Sequence, residues 1–255
     1  MSLEACAALV ARGDPDRWAA LLAAPVAARA RLLPLFALNL ELARAPWAAR
    51  EPMIAEMRLQ WWRDALEDAA RGRVRAHEVM TPLAELMAEA GLPLAVLDRL
   101  AAARRWDVWT EPFDDAAALT AYLDETAGGL MWLSAQALGA PAAAEGTVRA
   151  YARAAGTAAF LRAVPELVAR GRHPLPEGAD PADLARAGLD ALAQARAGRG
   201  VLPRAAAPAL LPGWQAGPLL AQVLRDPGAV AQGRLGLSEF ARRGRLMWQS
   251  ATGRW

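Results

Sequence analysis

Apolar residues recur at helical spacing over most of this chain. From Arg17 to Arg44 the positions Leu21, Leu22, Val26, Leu32, Leu33, Phe36, Leu40 and Leu42 predict helix, with breaks at Pro25 and Pro34. Pro46 is expected to end that stretch. An acid followed by proline, Glu51-Pro52, marks the next first turn. The helix predicted there runs through Met53, Met57, Trp61 and Leu66 to about Arg71, with Trp61 and Leu66 on its buried side and Gly72 after it. Met80–Ala90 and Leu94–Arg105 read as two shorter helices parted by Gly91 and Pro93. Asp114–Leu138 is long and apolar on one face, and Gly128-Gly129 inside it predicts a close helix contact. Ala142–Leu161 and Pro181–Ala197 are further helices, flanking a loop rich in Pro, Gly and Arg from Pro165 to Asp180. Beyond Pro203 the chain breaks into short pieces, with helix expected at Leu219–Arg225 and Leu237–Gln249. No strand-like alternation and no internal repeat is visible. The pattern predicts an all-α protein, a single domain over residues 1–255.

Composition strengthens that reading. The 255 residues include 65 Ala, 29 Arg, no Lys, one Asn (Asn39) and one Ile (Ile54). Ala is the best helix former and a poor strand former. A single Cys (Cys6) excludes a disulfide scaffold or a cysteine zinc cluster, and two His (His77, His173) leave little for a histidine-ligated metal. The net charge is only +2, and no basic run interleaved with aromatics points to nucleic acid. Arg without Lys is the mark of GC-rich coding. The longest apolar runs, Leu21–Ala30 and Leu32–Leu38, fall short of the roughly 18 residues that span a bilayer. The N-terminus lacks the basic region of a secretory signal, so a cytoplasmic protein is expected. The segment Phe240–Trp248 mixes Arg with aromatic and aliphatic residues, which leaves two readings open. One is a closing helix packed on the bundle; the other is peripheral contact with an anionic membrane surface, such as the inner membrane.

Signatures of P-loop, dinucleotide, zinc-protease and serine-hydrolase sites are absent. Asp64 and Asp68 lie one helical turn apart, a spacing that can hold Mg²⁺, but with Glu67 set to pair Arg71 they read as a solvated face. His77 and His173 read as surface residues.

Longer words of the sequence point further. Leu35-Phe36-Ala37-Leu38-Asn39-Leu40-Glu41-Leu42-Ala43-Arg44, followed by Glu51-Pro52 and Met57-Arg58-Leu59-Gln60-Trp61-Trp62-Arg63-Asp64, resembles the squalene/phytoene synthase family. Asp14-Pro15-Asp16-Arg17-Trp18 upstream, the Leu119–Gly139 stretch, and Leu161–Glu166 with Arg170-Gly171-Arg172 and Pro174-Leu175-Pro176 fit the same family. The resemblance implies the isoprenoid synthase fold, an all-α single-domain bundle. Active members condense two prenyl diphosphates head to head, using two D-x-x-x-D motifs on facing helices. Those carboxylates hold the Mg²⁺ cluster that the anionic leaving group requires.

In this chain the first motif falls on Glu41 to Ala45 and the second on Ala163 to Leu167. Only Glu41 keeps an end carboxylate; Ala45, Ala163 and Leu167 cannot ligate a cation, and Glu166 is the one acid left inside the second segment. The match therefore implies a pseudoenzyme without a metal or other cofactor. Arg44, Arg58 and Arg162 are the candidate contacts for an anion. Phe36-x-x-Asn39-x-Glu41-Leu42-Ala43 and Met57-Arg58-x-Gln60-x-Trp62 look closest to the family's degenerate branch, which assists assembly of mitochondrial respiratory complex I. That resemblance implies a subunit or assembly intermediate of a respiratory complex as partner, or a prenyl lipid as ligand, and no nucleic acid. The alternative is an active prenyltransferase with a reorganised Mg²⁺ site.

Overall fold

The computed structural model describes residues 3–48 and 51–255; residues 1, 2, 49 and 50 of the expected domain lie outside the described residues. The first half of the chain forms α1 (Leu3–Gly13), α2 (Pro15–Ala23), α3 (Val26–Arg44), α4 (Pro52–Ala70), α5 (Met80–Ala90) and α6 (Leu94–Ala103). Then come α7 (Ala116–Leu123), α8 (Gly129–Ala137), α9 (Glu145–Ala169) and α10 (Pro181–Ala197). The chain closes with α11 (Ala216–Arg225), the short α12 (Gly228–Ala231) and α13 (Glu239–Thr252). Tight turns of 3-10 helix at Ala45–Trp47, Arg104–Val108 and Arg204–Gly213 extend or bridge these helices, and no strand occurs among the described residues.

Local chemistry sets the ends. Asp14, Asp115, Asp180 and Ser238 each accept a backbone N–H with the side chain and start α2, α7, α10 and α13. Gly91, at a φ of 59°, closes α5 in the left-handed conformation that only glycine adopts cheaply. The longest helix, α9, runs through the bundle against α8, α10 and α11. Around it lies one continuous core that includes Leu35, Leu38 and Leu42 of α3 and Val148, Tyr151 and Leu161 of α9.

Several elements differ from the sequence reading. The helix α1 precedes the first expected one, with Cys6, Leu9 and Val10 buried at i, i+3 and i+4. Pro34 does not break α3: it is buried inside an unbroken helix. A mid-helix proline costs about 3 kcal/mol. Five buried neighbours, Leu32, Leu35, Phe36, Leu38 and Leu42, each stabilise by roughly 1.5–3 kcal/mol and outweigh it. Pro165 likewise sits inside α9, which ends only at Ala169, where Gly171 turns at a φ of 77°. The Asp114–Leu138 stretch is two helices joined by a π-helical turn, Asp124–Gly128. The inward face of α4 is Ala55, Leu59, Trp62 and Leu66, whereas Met53 and Met57 face solvent and Trp61 is half-buried.

Candidate functional site

Glu41 and Ala45 lie at the C-terminal end of α3, Glu41 half-buried and Ala45 buried. Glu166, on α9, is exposed and paired with Arg170 one turn on. Leu167 packs with Phe160 into a cluster containing Phe113, Leu119 and Leu123, against which Trp106 and Tyr122 also lie. Trp106 and Phe113 stack with centroids 3.9 Å apart. Just past Ala45, the ring of Trp47 carries two guanidinium groups, those of Arg170 and Arg172, each 4.8 Å from its centroid. Arg172 is fixed there by donating to the carbonyls of Asp107 (2.8 Å), Val108 (3.3 Å) and Trp109. Guanidinium cations on Trp47 thus lie just past the first segment, and an aromatic cluster takes up Leu167 of the second. Among the described residues no three His, Cys, Asp or Glu side chains group so as to hold a metal ion. The side chains present do not fit the Mg²⁺ that the family chemistry uses.

Two residues before Glu41, Asn39 enters a buried polar network. Its Oδ1 accepts from Arg104 Nη2 at 3.1 Å. Arg104 Nη1 donates to Asp107 Oδ2 (3.2 Å) and to the Tyr122 hydroxyl (3.0 Å), which itself donates to Asp107. Burial pushes the Asp107 carboxyl up, against the pull of Arg104 and the Tyr122 hydroxyl. Both oxygens of Asp107 are occupied by these donors, so the network ties α3 to the Arg104–Val108 turn and α7, while the buried Arg104 Nε and the nearby Trp106 Nε1 have no hydrogen-bond partner.

An opening toward the bundle interior lies elsewhere. A cavity of about 170 Å³ lies between α2, α3, α8, α9 and α11, with Phe36, Leu130, Met131 and Ala155 in its wall and Asp16, Arg17 and Arg162 among its polar residues. Asp16 organises that polar side. Its carboxylate accepts from Arg162 (2.8 Å), Arg242 (2.5 Å) and Gln215 (3.0 Å). Burial alone would raise its pKa, but the hydrogen bonds and charges of Arg162 and Arg242 hold it below the usual carboxylate range. Asp16 thus joins α2, α9, α13 and the residue before α11. Sequence reading placed Asp16 only inside a longer word; the D-P-D-R start of α2 spends Asp14 on the cap and frees Asp16 for long-range pairing.

The three candidate arginines do not converge. Arg162 lines the cavity, bound to Asp16. Arg44 is exposed and lies along α1, so close to Gly13 that a Cβ there would meet its Nη2 at 2.6 Å. Arg58 is exposed on α4. Asp64 and Asp68 serve separate partners: Asp64 accepts from Gln60, while Asp68 pairs with Arg73 and Arg75. Glu67 pairs with Arg71 as the spacing predicts. His77 is more than a surface residue, since its Nδ1 accepts from the Val79 N–H and its ring packs against Trp61 and Trp62. His173 is exposed.

Known proteins share this architecture. The sequence profile of the squalene/phytoene synthase family matches residues 10–179. A complex I (NADH dehydrogenase, ubiquinone) assembly factor 6 homolog of Drosophila melanogaster is 28% identical over 167 residues, 63% of this chain and 50% of that protein. The match thus spans only half the length of that relative. A squalene synthase from Alicyclobacillus acidocaldarius superposes with a TM-score of 0.77 at 17% identity, over 92% of this chain and 95% of the other. A dehydrosqualene synthase crystallised with a ligand gives a TM-score of 0.83 at 14% identity, over 98% and 95%.

Proposed function

This chain belongs to the squalene/phytoene synthase family, and on that premise we propose that it is a non-catalytic member acting as an assembly factor for a respiratory complex of the complex I type. What carries the reading is that Ala45, Ala163 and Leu167 stand at the positions to which the family resemblance assigns motif carboxylates. Without them the diphosphate leaving group has no Mg²⁺ cluster to receive its charge. Two further features support it. Phe160 and Leu167, on the second-motif helix, are spent on packing. The cavity, at about 170 Å³, is close to the roughly 150 Å³ that accommodates benzene and below the roughly 300–1,000 Å³ of ordinary ligand pockets, hence small for two prenyl diphosphates. The kinship with a complex I assembly factor homolog supports the choice of client.

A second reading keeps a ligand: a single lipid chain, a prenyl lipid included, enters the cavity with its anionic head on Arg162. The apolar wall and adjacent Arg17 and Arg162 favour it.

Deletion of the gene, followed by native-gel analysis of the respiratory complexes and a prenyl-lipid profile, tests the proposal. Loss of assembled complex with an unchanged prenyl-lipid profile is expected. Mg²⁺-dependent release of diphosphate from farnesyl or geranylgeranyl diphosphate by purified protein, lost in Glu41→Ala, overturns it.

A further inference from the structure

The closing helix α13 is inverted. Around its axis, Arg242, Leu246 and Gln249 face the bundle, while Phe240, Gly244, Met247 and Ala251 share the opposite face. The inward side is held largely by polar bonds. Arg242 pairs with Asp16, Gln249 donates to the Tyr151 hydroxyl (3.2 Å), and Ser250 donates to the Ala23 carbonyl (2.5 Å). The outward side carries the apolar groups, with Phe240 90%, Met247 71% and Trp248 54% exposed. Amphipathic helices of globular proteins do the reverse, since burial of the apolar face is what stabilises them. Arg243, which pairs with Glu239 (3.5 Å), and Arg245, whose Nε donates to the Trp214 carbonyl (3.4 Å), border this face, both exposed. From residue 237 to the end the chain has four Arg (Arg242, Arg243, Arg245, Arg254) and one acid, Glu239. Leu22 and Val26, on either side of the Ala23–Ala24 segment that receives Ser250, are exposed as well.

We propose that α13 lies in the interface of an anionic lipid bilayer, with Phe240 and Met247 inserted at the acyl boundary, Trp248 at the headgroup level, and Arg243 on a lipid phosphate. An in-plane helix with an apolar stripe bordered by Arg is the arrangement that binds such surfaces. The excess of Arg commits the surface to a negatively charged partner, and its apolar centre to a lipid. Among the described residues no helix is long and apolar enough to cross a membrane, so the contact is peripheral.

Full-length protein is co-sedimented with vesicles of phosphatidylcholine alone and of phosphatidylcholine with phosphatidylglycerol, at low and high salt, while light scattering reports its oligomeric state. Binding to the anionic vesicles that weakens with salt is expected. Phe240→Ser combined with Met247→Ser reduces it roughly tenfold or more, and Arg243→Gln about fivefold. Gly244→Leu strengthens it, because a Cβ at Gly244 meets open space. Melting curves of the Phe240, Met247 and Arg243 variants are expected to match the parent, since these side chains face away from the core, and that of Gly244→Leu to match or exceed it. Equal binding to neutral vesicles, no binding to either, or a Phe240-dependent dimer in place of vesicle binding overturns the proposal.

Discussion

Asp16 is one of the acids whose pairing reaches farthest along the chain, to Arg162, Gln215 and Arg242. Its carboxyl is 22% exposed, so the pairs are partly shielded and worth more than surface ion pairs. Asp16→Asn keeps the shape but removes the charge from between two guanidiniums, and is expected to destabilise by about 2 kcal/mol at neutral pH. The folded-state pKa lies below the unfolded value. Its contribution is therefore complete above about pH 4 and fades as pH falls through the lower folded value. Denaturant titrations of both proteins are expected to show a difference at pH 7 that shrinks toward pH 3. A constant difference across that range would mean that the loss is steric. Residue chemistry of this kind was hard to read in advance. Glu41, Arg44, Arg58 and Glu166 stand out in the sequence as charged groups near the motifs, yet ion pairing and helix facing send Arg44, Arg58 and Glu166 to the surface.

Packing distances between elements follow the small residues. Gly156 of α9 faces Ala127 so closely that a Cβ at 156 would stand 2.8 Å from the Ala127 Cβ, with both groups carried on helical backbone. Neither can turn away, so Gly156→Ala must push α9 from the π-helical turn. The expected cost is about 1–3 kcal/mol, read as a fall in the urea midpoint with an unchanged slope. Gly244→Ala, whose Cβ meets nothing, is the control and is expected to be neutral or slightly stabilising. The helices themselves were legible because Ala-rich periodic stretches mark them, and Met80–Ala90 and Pro181–Ala197 have the bounds that Gly91 and Asp180-Pro181 imply. The errors share one cause. Pro34 and Pro165 read as breaks because local backbone chemistry opposes helix there, but core burial around α3 and α9 is a tertiary term that no local pattern contains. Trp61 reads as buried because it is apolar at helical spacing, yet it is only half-buried; the adjacent stripe, Ala55, Leu59, Trp62 and Leu66, is the one that packs.

At the scale of the whole molecule, the arrangement separates what the family ancestry left into two parts. The end of the bundle where the family resemblance places the two motif segments carries Trp106, Phe113, Tyr122 and Phe160, with Arg170 and Arg172 over Trp47. The interior beyond it keeps a cavity whose wall includes Ala155 and Met131. An assembly factor needs the fold and its surfaces but not that space, whereas a lipid carrier needs the space. Ala155→Leu separates the two. Three added carbons filling an apolar void typically raise stability by about 0.5–2 kcal/mol, so the melting temperature is expected to rise or hold. If the protein works through its surfaces, the variant is expected to restore complex assembly to a deletion strain as well as the parent does. A variant that melts no lower than the parent yet fails to restore assembly would assign the function to the cavity. The opposite result leaves Arg162 and Asp16 as a structural clamp, in which case Arg162→Met also supports assembly despite a lower melting temperature.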